Sequence, residues 1–140
     1  MRRRSAWKSR AASGEHGAAA AEFAIILPIL LTLTFGIIEF GFIFNAQLSL
    51  SQAVREGVRV GAIGDGTEGE KEALMAARLE EAYIAVGGGT PVATTTEACA
   101  PGETDITDTA VLEAEVEFAT PIGEFGPITL SSRAVMRCGG

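Results

Sequence analysis

Between Phe23 and Ile38 the chain runs 16 residues without a charge, and apolar side chains continue to Phe44 with Glu39 the one acid among them. A helix over Ala18–Phe44 is 27 residues long. At about 1.5 Å per residue it measures roughly 40 Å, enough to cross a hydrocarbon core of about 30 Å. Pro28 lies inside this stretch, where a membrane helix tolerates a local bend. After Phe44 the pattern becomes amphipathic. In "NAQLSLSQAVREGVRVGA", residues 45–62, Ala46, Leu50, Ala53, Val54, Gly57 and Gly61 fall on one face at 100° per residue, and Asn45, Gln52, Arg55, Glu56 and Arg59 on the other. The membrane helix therefore continues past the bilayer, with a face of small residues suited to close approach by another element. Glu56 and Arg59 make an i, i+3 pair worth a few tenths of a kcal/mol; the plainer role of this charged cluster is a solvated face.

The turn-rich "GDGTEGE", residues 64–70, stops this helix. A second helix is predicted from about Glu70 to Val86, with Met75, Leu79, Ala82 and Val86 as its apolar stripe and "GGG" at 87–89 as its end. Such a stripe serves a core rather than a cofactor. A weak strand is predicted near 92–98, followed by loop. In "AVLEAEVEFA", Leu112, Ala114, Val116 and Phe118 alternate with Glu113, Glu115 and Glu117, which gives one buried and one acidic face. In "ITLSSRAVMRC", Ile128, Leu130, Ala134 and Met136 point inward while Thr129, Ser131, Arg133 and Arg137 point outward. An antiparallel hairpin of the two sets arginines beside glutamates, each such pair contributing roughly 0.2–1 kcal/mol. The glutamate row reads as a solvated strand face rather than a calcium or substrate site. The predicted fold class is α+β: a long N-terminal transmembrane helix continuing into a small domain with a second helix and a short antiparallel sheet.

Charge gives this arrangement a direction. Residues 1–17 hold Arg2, Arg3, Arg4, Lys8 and Arg10 against Glu15, a net of +4, while the remaining chain holds 17 acids and 6 bases, a net of −11. The acidic body argues against nucleic-acid binding. The basic head marks the cytoplasmic side of the span, which puts the C-terminal domain outside the cytoplasm. A secretory signal peptide shares the basic start and the apolar run, but its cleavage site needs small residues after that run. Here Gly36 is followed by Ile-Ile-Glu-Phe-Gly-Phe and the helical pattern goes on. The span reads as a retained single-pass anchor.

Read as a whole, "GEHGAAAAEFAIILP" places a basic leader before Gly17, then four alanines, Glu22, Phe23 and the apolar run. It resembles a type IV prepilin processing site. The resemblance implies that a prepilin peptidase cuts after Gly17 on the cytoplasmic face and leaves Ala18 as the new N-terminus with Glu22 as its fifth residue. A carboxylate at the bilayer edge is costly without a partner, and in filaments of this kind the freed amine of a neighbouring subunit can meet it. The longer stretch from Gly14 to about Ile63, with Glu39 in "GIIEFG" and Arg55, Glu56 and Gly57 in "REG", is similar to the TadE-like pseudopilins of tight-adherence, or Flp-type, pilus systems. Flp major pilins typically carry Tyr after the acid and lack a folded domain. Phe23 and the long C-terminal region instead imply a minor pseudopilin, pilin-like in outline, acting in pilus assembly or a related secretion machine. Implied partners are the prepilin peptidase, other pilins and pseudopilins, inner-membrane assembly proteins and the lipid bilayer. The resulting division is a leader over 1–17, a transmembrane and post-membrane helix over 18–62, and an extracytoplasmic domain over 63–140.

Cys99 and Cys138 are the only cysteines, both in the part expected outside the cytoplasm, and an even count there reads as one disulfide. Two cysteines without C-x-x-C spacing make a poor metal site, and His16, the only histidine, lies in the leader. No nucleophile elbow or P-loop is present, so neither catalysis nor a cofactor is expected. One alternative stays open: a membrane-anchored binding or adaptor module that never enters a filament. It differs from the pseudopilin at the leader, which it keeps.

Overall fold

The computed structural model describes residues 14–102, 107–120 and 126–139. The basic residues of the leader lie outside them. Among the described residues the order is α1 (Gly14–Ile63), α2 (Glu68–Ala82), β1 (Val92–Glu97), β2 (Thr109–Ala119) and β3 (Pro127–Arg137). The fold is α+β, with one helix long and apolar enough to cross a membrane. Two compact units divide the chain, one ending at Ile37 and one beginning at Ile38.

In the first unit α1 carries its apolar side chains outward, as a lipid-facing helix does: Phe23, Ile25, Ile26, Ile29 and Leu33 are all exposed. Pro28 removes one amide from the helical ladder. Two turns of backbone here are covered by side chains, because the Thr32 and Thr34 hydroxyls donate to the carbonyls of Pro28 and Leu30. A hydroxyl in lipid has no water to turn to, and the preceding turn satisfies it.

In the second unit a three-stranded antiparallel sheet, order β1-β2-β3, packs its inner face on the helices. The face of small and branched residues predicted on α1 is the one buried: Ala46, Leu50, Ala53, Val54 and Val58 join Met75 and Leu79 of α2 and Leu112, Ala114, Val116 and Phe118 of β2 in one core. The charged face, Arg55, Glu56 and Arg59, stays in solvent. Strand β2 reads as expected from its alternation, and β3 pairs with it without a register shift from Thr109↔Arg137 to Ala119↔Pro127. Of the two arginines on β3, Arg133 faces Glu113 and pairs with it at 3.0 Å, whereas Arg137 is opposite Thr109. Strand β1 carries a bulge between Ala93 and Thr95.

The second helix differs from its prediction at both ends. It starts two residues earlier, at Glu68, because Thr67 and Glu70 form a capping box in which each satisfies the other's backbone amide. It stops at Ala82, well before the glycines. Tyr83 is extended (φ −78°, ψ 116°), and Val86, expected on the buried stripe, is exposed. The chain is drawn off the helix by two bonds to other elements: the Ile84 N–H donates to Ser49 Oγ, and the Gly89 N–H to the Glu117 carbonyl.

The far end of the domain is tied by the disulfide between Cys99 and Cys138, residues 39 apart in sequence. The Cys99 N–H donates to the Gly61 carbonyl and the Cys138 N–H to that of Asp108. Lys71 is buried beside them, its Nζ donating to the Cys99 carbonyl at 3.0 Å.

Candidate functional site

The residues expected to be recognised for processing stand on α1. Gly17, Ala18, Glu22 and Phe23 are exposed, and Gly17 is surrounded by open space, so a side chain there would meet nothing. Packing therefore does not explain its being glycine. Glycine in a helix is less stable than alanine by about 1 kcal/mol, so Gly14 and Gly17 weaken this part of α1, while the alanines after Gly17 favour helix. Glu22 is an exposed carboxylate with apolar residues following it.

Glu39 is different. It belongs to the second unit and its side chain is 2% exposed, yet no donor among the described residues reaches Oε1. Leaving a buried acceptor unsatisfied costs roughly 1–3 kcal/mol, more for a charged group. Within its own unit each acid has a different setting: Glu22 is exposed in the first, and Glu39 is enclosed in the second.

The "REG" residues split by role. Arg55, Glu56 and Arg59 point to solvent, and the expected Glu56–Arg59 ion pair does not form; the pairs present among the described residues are Arg78–Glu81 and Arg133–Glu113. Both side chains of the unformed pair are free to stay hydrated, which offsets the few tenths of a kcal/mol that the pair would contribute. Gly57 is buried, and an added methyl would overlap the Leu112 side chain and sit 3.0 Å from the Met75 carbonyl oxygen. Here α1 meets both α2 and β2. Gly61 plays a similar part against the Met75 side chain. The motif thus combines a packing glycine with a solvated charged face.

Residues 17–59 match the family model described as TadE-like protein. This segment is similar to that family. It takes in Gly17, Ala18, Glu22, Phe23, Glu39, Arg55, Glu56, Gly57 and Arg59, all of which lie on α1. The family belongs to tight-adherence pilus systems and is structural rather than enzymatic. No curated protein and no solved structure matches the chain. Beyond the TadE-like segment, α2 and the sheet supply the partners that bury its small-residue face. No group of three or more His, Cys, Asp or Glu placed to hold a metal occurs among the described residues.

Sequence reasoning passed over three residues that shape this region. Lys71 reads as a surface lysine, and only the fold shows its ammonium turned inward to Cys99. Ser49 lies on the amphipathic part of α1, and nothing local signals that it receives Ile84. Thr67 was legible, since T-E-G-E matches a capping box in its spacing.

Proposed function

We propose that this chain is a minor pseudopilin of a tight-adherence pilus or related secretion machine, anchored by α1 with its N-terminus in the cytoplasm and its domain outside. The observation that carries the reading is the TadE-like match from Gly17 onward, which begins at the residue where the prepilin pattern places the cut. In this reading the peptidase recognises Gly17 in a stretch of helix weakened by glycine and cuts the Gly17–Ala18 bond. The basic leader leaves, and Ala18 carries a new ammonium at the membrane face. Glu22 then has a partner, the Ala18 amine of a neighbouring subunit, and the ion pair sets the register between apolar helices that otherwise slide past one another. The net +4 charge of residues 1–17 supports the orientation.

Two substitutions separate the steps. Gly17→Leu puts a bulky side chain at the cut and is expected to leave a full-length protein in the membrane. Glu22→Gln keeps shape and hydrogen-bonding capacity but removes the charge; it is expected to be cut normally and to assemble poorly. Intact mass of membrane-extracted protein, with and without the peptidase, reads the first step, and a count of surface pili reads the second. Normal piliation with an uncut Gly17→Leu protein would sink the pseudopilin mechanism and leave an anchored binding module standing.

A further inference from the structure

Where α2 ends, the chain extends and its side chains alternate. Tyr83 and Ala85 turn toward the core, while Ile84 and Val86 face outward, 79% and 68% exposed. Two adjacent outward branched side chains on so small a domain need a reason, and their place in the fold supplies one.

The level of this loop along α1 follows from three cross-links. Leu112 lies against Gly57. Ser132, the partner of Ala114, donates to Ser51, and the carbonyl of Ser131, the partner of Glu115, accepts from Gln47. Strand β2 therefore advances toward the N-terminal end of α1. Phe118 is three residues past Glu115, about 10 Å further at roughly 3.3 Å per residue. On a helix rising about 1.5 Å per residue, that is the level of Phe40 to Phe44. Gly88 bridges to Phe118, and the Ile84 N–H is held by Ser49. The loop from Ile84 to Gly88 thus lies beside the stretch of α1 between Phe40 and Ser49. On that stretch Phe40, Phe44 and Leu48, spaced four apart on one helical face, are 74%, 71% and 50% exposed. These exposed apolar side chains belong to the second unit's own part of α1.

Charge is arranged in the same sense. From Ala82 to Thr96 the chain has 15 consecutive residues without a charge, inside a domain otherwise rich in acids. The acids that flank it in sequence are Glu80 and Glu81 on the last turn of α2, Glu81 being paired with Arg78, and Glu97 at the end of β1. Across the sheet, Glu117 is exposed beside Phe118. An acidic domain approaches an anionic bilayer only where acids are sparse, and this loop is such a place.

We propose that Ile84 and Val86 insert into the headgroup–acyl boundary of the bilayer that α1 crosses, giving the domain a second membrane contact. The occupant is lipid because the loop lies at the level of the exposed Phe40 and Phe44 on a helix long and apolar enough to cross a membrane, and because two side chains make too small a patch for a stable protein interface. Side chains seated about 5–10 Å into the interface restrict the tilt and rotation that a single helix leaves free. The proposal rests on α1 crossing the bilayer and is indifferent to whether the leader is cut.

The test uses the full chain carrying Trp7→Phe, which removes its one tryptophan, reconstituted in vesicles of phosphatidylcholine and phosphatidylglycerol with brominated acyl chains. Ile84→Trp and Val86→Trp are compared with Phe44→Trp, in lipid, and with Leu74→Trp, whose neighbour Met75 packs at Gly57 and Gly61, away from the bilayer. Expected are blue-shifted emission and loss of fluorescence to the brominated lipid for residues 44, 84 and 86, and neither for residue 74. Emission from residues 84 and 86 that matches residue 74 would overturn the proposal. Blue-shifted but unquenched emission would also overturn it, because the loop would then be covered by protein. An unquenched Phe44→Trp would remove its premise, the span itself.

Discussion

Glu39 shows how much of a site a sequence can hide at the level of one residue. An acid in a mostly apolar run is visible in the sequence, but its enclosure is decided by residues far along the chain, and only the fold shows Oε1 buried without a donor. Gly57 is the converse case. Its place in "REG" marks it, while the reason for glycine lies in the approach of Leu112 and Met75. A residue that only served folding would not leave a buried carboxylate oxygen unsatisfied, since an apolar side chain of similar volume avoids the cost. Glu39→Leu is therefore expected to melt at the same temperature as the natural protein or higher, in detergent-solubilised full chain. If Glu39 serves assembly, the same variant lowers the count of surface pili. A variant that melts clearly lower shows instead that the carboxylate holds the fold.

Among the elements, those whose pattern is imposed by one environment were legible and those ended by distant contacts were not. Helix α1 shows a lipid-facing run and then a buried stripe, and β2 and β3 show period-two alternation against one core. The start of α2 was misplaced because its acids and glycine resemble a turn, although the capping box is written there. Its end was misplaced because the apolar spacing carries on to Val86, while the bonds that stop the helix come from Ser49 and Glu117. The capping box has a pH signature. Glu70 accepts hydrogen bonds from the Thr67 N–H and hydroxyl, both at 2.9 Å, and these hold its carboxyl below the usual carboxylate range. A carboxyl lowered in the folded state contributes stability fully present above its ordinary value and lost as pH falls through its folded value. The first turn of α2 is thus expected to loosen at acidic pH, seen as faster amide exchange at Glu70 and Lys71 relative to neutral pH after correction for intrinsic exchange. Glu70→Gln should remove that dependence at this turn. Thr67→Ala should lower stability at neutral pH by about 1 kcal/mol. An amide-exchange profile unchanged in Glu70→Gln would mean the box contributes nothing to the helix start.

At the scale of the whole molecule, a helix long and apolar enough to cross a membrane also has to nucleate a domain that is small for an independent core, and the disulfide compensates. Cys99 and Cys138 lie with 38 residues between them, and in the chain-entropy model closing such a loop contributes roughly 4 kcal/mol, a large share of the stability of a small domain. The bond also fixes the backbone that caps α1: the Gly61 carbonyl takes the Cys99 N–H, and Lys71 holds the Cys99 carbonyl from the other side. Replacing both cysteines by alanine is therefore expected to lower the denaturant midpoint of the domain. It should also speed amide exchange around Gly61 and Lys71 more than at the opposite end near Phe118. The same pair reports on orientation. Disulfides persist in oxidising compartments and are rare in the cytosol, and the net +4 leader predicts a cytoplasmic N-terminus by an independent rule. In cells, then, alkylation without reduction should leave both thiols unlabelled. A reporter fused after Gly140 should be active only outside the cytoplasm, and one fused before Met1 only inside. Free thiols together with a cytoplasmic signal from the C-terminal reporter would invert the topology. The Gly17–Ala18 bond would then lie on the wrong side for the peptidase, and the processing scheme would fall with it.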